Sequence, residues 1–505
     1  ESLGHFAKTS LGRDYLNPFL LGGEQVIITS SSDPTLAVGK IRFASVQDVE
    51  KAVAVVDRYY TEGPLADGEF FVRSLQLLNA AMIMYARRKE LSALIMYEAG
   101  KSLREAYGDV DEAIDFLNFY AREEARLQSL PYPHHSRGPV AVIAPWNFPL
   151  AIPCGMVSSS LVSGNPVILK SAEQTPLIAQ ALVDILHEAG VPQEALIHLP
   201  GLGEVVGEAL VKHPRIAAIV FTGSMAVGSS IYRQAGVRIY QNMRYQVQYP
   251  VKVITEMGGK NAVIVAANAE LDETVSGILA SAFGHAGQKC SALSRVLVHS
   301  SVKDKLAMRL KEAGSTIQVG PAFDLSTYIN PLISAQDKAR VLKAVSEAKA
   351  EAQQYGGKVW LDRSAEKLPG YCVGPVVIEL PKDRLKDRSS FSRRELFAPV
   401  IHLMSFETLD EAISLFNATN YALTGGIYCQ SQDDIDYCLE RLEAGNLYVN
   451  RAITGARVGI EPFGGFKLSG TGPKAGGVQY LERFHLHPIN NPILSDLTQK
   501  TPAHE

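Results

Sequence analysis

Short apolar runs recur along positions 138 to 266, mostly twenty to thirty residues apart: Val140-Ala-Val-Ile-Ala144, Pro166-Val-Ile-Leu-Lys170, Ala195-Leu-Ile-His-Leu199, Ala217-Ala-Ile-Val-Phe221 and Lys252-Val-Ile-Thr-Glu256. Amphipathic stretches separate them. This alternation fits βαβ units, and so a doubly wound parallel sheet. The stretch from Pro176 is a clear helix: Thr175 caps it, proline opens it, Gly190 ends it, and Leu177, Ala181, Leu182 and Ile185 form its apolar stripe. Residues 47 to 127 read as helices covering the sheet, with Asp48 to Tyr60 and Gly68 to Arg88 showing the 3.6-residue period.

A chain of 505 residues exceeds what one core holds, since single cores rarely grow beyond about 250 to 300 residues. A second α/β series accordingly begins near Leu271. A helix from Leu271 to Ala286 delivers Cys290 just past its end, Arg295 to His299 is a strand, and Val302 to Gly314 a charged helix. Further units follow at Leu409 to Phe416, Leu423 to Tyr428, Asp433 to Leu442 and Asn446 to Val449. Leu127 to Arg137 and the tail after Phe484 are short and poorly periodic, and fit neither lobe. The expected division is 1–126 with 138–258 as a cofactor-binding domain, 259–454 as a catalytic domain, 127–137 with 485–505 as a small oligomerisation element, and 455–484 as a substrate-anchoring segment.

The 49 basic and 53 acidic residues give a net charge of −4 without long single-sign runs, which argues against nucleic acid or a membrane surface as partner. Gly138 to Leu169 carries no charge and is long enough to span a bilayer, but Pro145, Pro149 and Pro153 break any helix there. A buried strand, a rigid loop and a buried helix are expected instead. Five scattered cysteines without zinc spacing point to free thiols in a reducing, cytoplasmic setting, and no HExxH motif suggests a metal. The chain starts at Glu1 without an apolar leader or a methionine, so processing or origin in a longer chain is expected.

Three polar centres carry the chemistry. Cys290 lies in Gly287-Gln-Lys-Cys-Ser291, where Gly287 permits a tight turn, Lys289 adds charge favouring thiolate and Ser291 places a hydroxyl beside the sulfur. Glu256 ends a strand before Met-Gly-Gly, where it is either a cap for nearby amides or a base whose pKa an apolar channel raises. Asn147 sits between Trp146 and Phe148 and two prolines, either as a turn amide or as a preorganised donor. A thiol, a carboxylate and an amide donor are the parts needed to oxidise an aldehyde through a thioester.

Glycines mark a nucleotide site. Gly223-Ser224-Met-Ala-Val-Gly228 follows a strand and opens a helix, suiting a diphosphate, and Gly228 is followed by serines rather than the lysine of a phosphate loop. Gly201-Leu-Gly203 opens a turn near the adenine side. Lys170 and Glu173, three residues apart, either bracket the ribose hydroxyls, favouring NAD over NADP, or form a plain ion pair.

With these motifs in this order, the chain from about residue 20 to about 490 resembles the aldehyde dehydrogenase superfamily. The resemblance implies Cys290 as nucleophile, Glu256 as general base, Asn147 with the Cys290 amide as oxyanion donors, and NAD bound near Trp146, Gly203, Gly223, Ser224 and Gly228. It also implies that Glu395 holds the nicotinamide ribose, with Phe397 against the ring. The string Ser469-Gly-Thr-Gly-Pro-Lys-Ala-Gly-Gly477 resembles the aldehyde-anchor loop of the pyrroline-5-carboxylate dehydrogenases, including that part of bifunctional proline utilisation A. On that resemblance the Gly470 and Thr471 amides, with the Ser291 hydroxyl, form a nest for a substrate carboxylate. It further implies a homo-oligomer, oxidation of glutamate γ-semialdehyde in proline catabolism, and partnership with a proline dehydrogenase. The rivals are a dehydrogenase of another carboxylated semialdehyde and a non-catalytic scaffold of the same fold. The stretch Val237 to Val251 suits this group in length, while its Gln, Tyr and Arg content has no reading.

Overall fold

The apolar runs do become strands. The computed structural model describes residues 2–20, 22–63, 70–130 and 134–486. Strands β1 (Val140–Ile143), β2 (Val167–Lys170), β3 (Leu196–His198), β4 (Ala218–Thr222) and β5 (Lys252–Glu256) form an all-parallel sheet in the order β5-β4-β1-β2-β3. Both faces are covered, which is why the runs are continuously apolar. Val140, Val142, Val167, Leu169 and Val220 face one core; Ala141, Ile143, Ile168, Ile219 and Phe221 face the other. The strand order reverses between β1 and β4, and ligands of doubly wound sheets bind at the carboxyl ends beside such a reversal. The loops leaving β1 and β4 carry Asn147 and Gly223-Ser224.

The second sheet holds β6 (Asn261–Val265), β7 (Leu293–His299), β8 (Lys358–Asp362), β9 (Val376–Glu379), β10 (Val400–Phe406), β11 (Thr424–Tyr428) and β12 (Asn446–Val449). Its order is β8-β9-β10-β7-β6-β11-β12, with only β8 antiparallel. Its core runs from Ala262 to Ile453. Met257 to Lys260 is the whole connection from β5 to β6. The carboxyl end of one sheet therefore abuts the amino end of the other, and the residues before β7, Cys290 among them, come up against Glu256.

Two local expectations are corrected. Thr175 precedes the helix Pro176–Glu188 but makes no side-chain cap. The Glu98 carboxylate caps that helix, accepting from the Leu177 and Ile178 amides at 2.7 and 3.0 Å. The helix from Leu271 stops at Phe283 instead of Ala286, because His285, Ala286 and Gly287 take left-handed φ values of 50°, 54° and 69°. Tyr480, Leu481 and Phe484 join the core of the first lobe. Just beyond, His485–Leu486 pairs antiparallel with His135–Ser136. The remainder of the expected oligomerisation element, 131–133 and 487–505, lies outside the described residues. Val237 to Val251 contains a hairpin, Ile239–Asn242 against Val247–Pro250, whose Asn242 amide donates to the Tyr60 hydroxyl and the Arg137 carbonyl. Among the described residues, no helix is long and apolar enough to cross a membrane.

Candidate active site

Cys290, Ser291, Glu256 and Phe148 line one cavity of about 850 Å³ at the junction of the two sheets. Backbone position is set by Asn261, whose amide donates to the Cys290 carbonyl at 2.7 Å and to that of Ala292 at 2.9 Å. Burial, then the Glu256 and Glu395 carboxylates, push the thiol up to about 12. This overturns the expected help from Lys289. Its ammonium lies 2.7 Å from Glu105, so its charge is already paired. Burial works against the Glu105 carboxylate, but the Lys289 and Lys101 charges outweigh it and hold the carboxyl at about 2.

Glu256 ends β5 with one oxygen accepting from the Gly465 amide at 3.3 Å and the other buried without a hydrogen-bond partner among the described residues. Burial pushes its carboxyl up to about 8. Asn147 is 5% exposed, and its side-chain amide donates to the Gln288 carbonyl at 3.0 Å. An amide carries two N–H bonds, so one remains for another acceptor. Thiol and acid thus line one cavity, and the amide is held to the backbone two residues before the thiol.

The thiol's resting state has a consequence. A pKa near 12 keeps it protonated at neutral pH, so alkylation of Cys290 in the cofactor-free enzyme should quicken about tenfold per unit from about pH 7 to about pH 10. Iodoacetamide kinetics check this. A rate already level at about pH 8 would mean a thiolate prepared at rest and contradict the electrostatics.

The anchoring role for Gly470 and Thr471 is not supported. The Thr471 amide is spent on the Thr255 carbonyl at 3.0 Å, and its hydroxyl accepts from the Thr255 amide at 3.0 Å. Gly470 abuts Glu256 instead: an added Cβ would lie 2.7 Å from the carboxylate. The segment 455–484 reaches the cavity through Gly455, Ala456, Arg457, Val458, Phe463, Ala475 and Tyr480, while Ser291 lines it as expected. Glu112, also on the wall, escaped the sequence reading. Burial, then Asp109, push its carboxyl up to about 8. Its signal was there: Glu105, Asp109 and Glu112 stand at i, i+4 and i+7 of the helix Leu103–Gln128, an acidic stripe on one face.

The glycine and carboxylate motifs gather along the carboxyl ends of the first sheet. Ser224 caps the helix Met225–Ala235, its hydroxyl accepting from the Val227 amide at 3.4 Å, and the Gly223 amide donates to the Glu256 carbonyl at 3.1 Å. Gly228 lets that helix lie close to the sheet, since a Cβ there would meet the Met257 sulfur at 2.6 Å. The Lys170 ammonium is 2.9 Å from a Glu173 oxygen that also accepts from the Gly203 amide at 2.6 Å, so these residues form one cluster. Towards the second sheet, Glu395 accepts from the Gly259 amide at 2.9 Å, and burial pushes its carboxyl up to about 7. Trp146 meets Phe397 edge to face at 5.6 Å.

Two wound parallel sheets with a thiol at their junction define an α/β enzyme. The chain belongs to the aldehyde dehydrogenase family, whose model it matches over residues 25–486. It is 36% identical over 492 residues to a 1-pyrroline-5-carboxylate dehydrogenase of Geobacillus sp. (strain WCH70), covering 94% of this chain and 92% of that one. It is similar to the crystal structure of 1-pyrroline-5-carboxylate dehydrogenase from Thermus with bound NAD, at 35% identity and a TM-score of 0.88, over 96% of this chain and 94% of that one. Proline utilization A from Bdellovibrio bacteriovorus matches at 39% identity and a TM-score of 0.88 over 96% of this chain, which spans 50% of that longer one.

Proposed function

We propose that the protein oxidises L-glutamate γ-semialdehyde, the open form of Δ1-pyrroline-5-carboxylate, to L-glutamate with NAD, as a cytoplasmic step of proline catabolism. The observation that carries this is that Cys290 and Glu256 line one cavity while the Asn147 amide is tied to the Gln288 carbonyl two residues before the thiol, in a chain 36% identical to a 1-pyrroline-5-carboxylate dehydrogenase. The Cys290 thiol loses its proton to water and its sulfur adds to the aldehyde carbon, while the free N–H of Asn147 with the Cys290 amide holds the oxygen that becomes negative. NAD, when bound, accepts the hydride that leaves this adduct. Glu256, with its one unpartnered oxygen, then draws a proton from the water that cleaves the thioester.

The residues present fit a dinucleotide. The open end of the helix Met225–Ala235 suits its diphosphate, Glu173 and Lys170 its adenine ribose, and Glu395 its nicotinamide ribose beside Phe397 and Trp146. The Glu173 carboxylate repels a 2′-phosphate, which favours NAD over NADP. In this reading residues 1–126 and 138–258 form the cofactor domain and 259–454 the catalytic domain. The segment 455–484 closes the substrate cavity. The strand pair 135–136 with 485–486 seeds a homo-oligomer contact, and a proline dehydrogenase is the functional partner that supplies substrate.

Substrate choice follows from the cavity wall. Ser291 and Glu112 both line the cavity, and in this reading the Ser291 hydroxyl binds the α-carboxylate and the Glu112 carboxylate the α-ammonium. Each buried polar group left unpaired costs about 1 to 3 kcal/mol. Glutamate semialdehyde should therefore exceed propanal in kcat/KM by about two orders of magnitude or more, and Ser291→Ala should narrow that gap, chiefly through KM for the carboxylated substrate. Steady-state NADH formation measures both. Equal efficiency toward the two aldehydes would discard this substrate and leave the aldehyde chemistry standing.

A further inference from the structure

The loop carrying Asn147 rests on an ion pair that does not itself line the cavity. The Lys101 and Asp109 side chains are both fully buried, their charged atoms 2.9 Å apart. Such a pair contributes little net stability, since well-packed apolar residues of similar size serve as well or better. Its geometry is specific. A lysine ammonium has three N–H bonds, and three partners surround this one: Asp109, the Asn147 carbonyl at 3.0 Å, and the Phe148 ring with its centroid 3.7 Å away. The second Asp109 oxygen accepts from the Ala151 amide at 2.7 Å, so the pair grips the loop on both sides of Pro149.

The other end of Asn147 is held just as firmly. Its amide donates to the Gln288 carbonyl, and the Gln288 side chain is itself fixed by the His285 and Pro331 carbonyls and the Ile333 amide. With backbone and one N–H both fixed, the second N–H has a single direction left. We infer that Lys101, with Asp109, is a positioning residue of the reaction that acts through Asn147 and sets where its free N–H points. This rests on the reading of Asn147 as oxyanion donor.

A coupling experiment tests it. Removing both charges together, as Lys101→Met with Asp109→Asn, leaves no bare ion in the core and keeps an acceptor for the Ala151 amide. The change is made in the unaltered enzyme and in Asn147→Ala. Alone it should lower kcat about tenfold to a hundredfold, the scale of a misplaced catalytic group, while NAD affinity and the rate of Cys290 alkylation hold within about twofold. In the Asn147→Ala background it should change kcat by less than about twofold, because residues acting as a unit are not additive. An equal loss in both backgrounds, or unchanged kcat in the first, would overturn the inference and leave the Asn147 role intact. An Asn147→Ala enzyme of undiminished kcat would remove that role, and this inference with it. Lys101→Arg, which keeps the charge beside Asp109 but alters its reach to the Asn147 carbonyl, runs the same cycle if the paired variant does not fold.

Discussion

Cys290→Ala should lower NADH formation from glutamate semialdehyde by at least about four orders of magnitude and leave NAD affinity within about twofold. The thioester has no other route. Cys154, Cys372, Cys429 and Cys438 are buried and none of them lines the cavity, so none can stand in. The substitution removes one heavy atom from the wall of an existing cavity, so the fold should stay intact. Steady-state absorbance for turnover and calorimetry for NAD binding read the two halves of this expectation. Turnover retained in the variant would remove the thiol from the mechanism.

That cysteine and the first sheet were legible because their signals are local. A strand buried on both faces shows itself as an unbroken apolar run, and all five runs between Val140 and Glu256 lie within two residues of the observed strands. Asn147, Glu256 and Cys290 were legible as motifs, and the approach of Cys290 to Glu256 follows from the short connection between β5 and β6. Strands β6, β8, β9 and β10 and the helix Ala335–Gln354 escaped the reading. Val237 to Val251 had no reading because its hairpin is tied down by Tyr60 and Arg137, far away in the chain.

Three of the misreadings share one cause, a partner distant in sequence. Thr175 has the right residue type for a cap, but Glu98 reaches the helix end first. Lys289 brings charge to the thiol only if nothing neutralises it, and Glu105 does. The Thr471 amide was free to form an anion nest until Thr255 claimed it. In each case the local chemistry was read correctly and the competing hydrogen bond or ion pair came from another element. Lys101 is the converse: one lysine in an ordinary helix connection, its importance visible only once Asp109, Asn147 and Phe148 surround it.

Glu256→Gln separates hydride transfer from deacylation. The substitution keeps the size of the side chain and removes the base, so thioester hydrolysis should slow by about two to four orders of magnitude, the usual range for a general base. Acylation does not require water to be activated and should proceed. The account's central claim is a covalent acyl-Cys290 that Glu256 clears, and rapid mixing of Glu256→Gln with glutamate semialdehyde and NAD tests it most directly. The predicted result is one equivalent of NADH per active site in a burst, a collapsed steady state, and a glutamyl adduct at Cys290 by mass spectrometry after acid quench. A burst lost in parallel with turnover, with NAD binding intact and no adduct at Cys290, would contradict it.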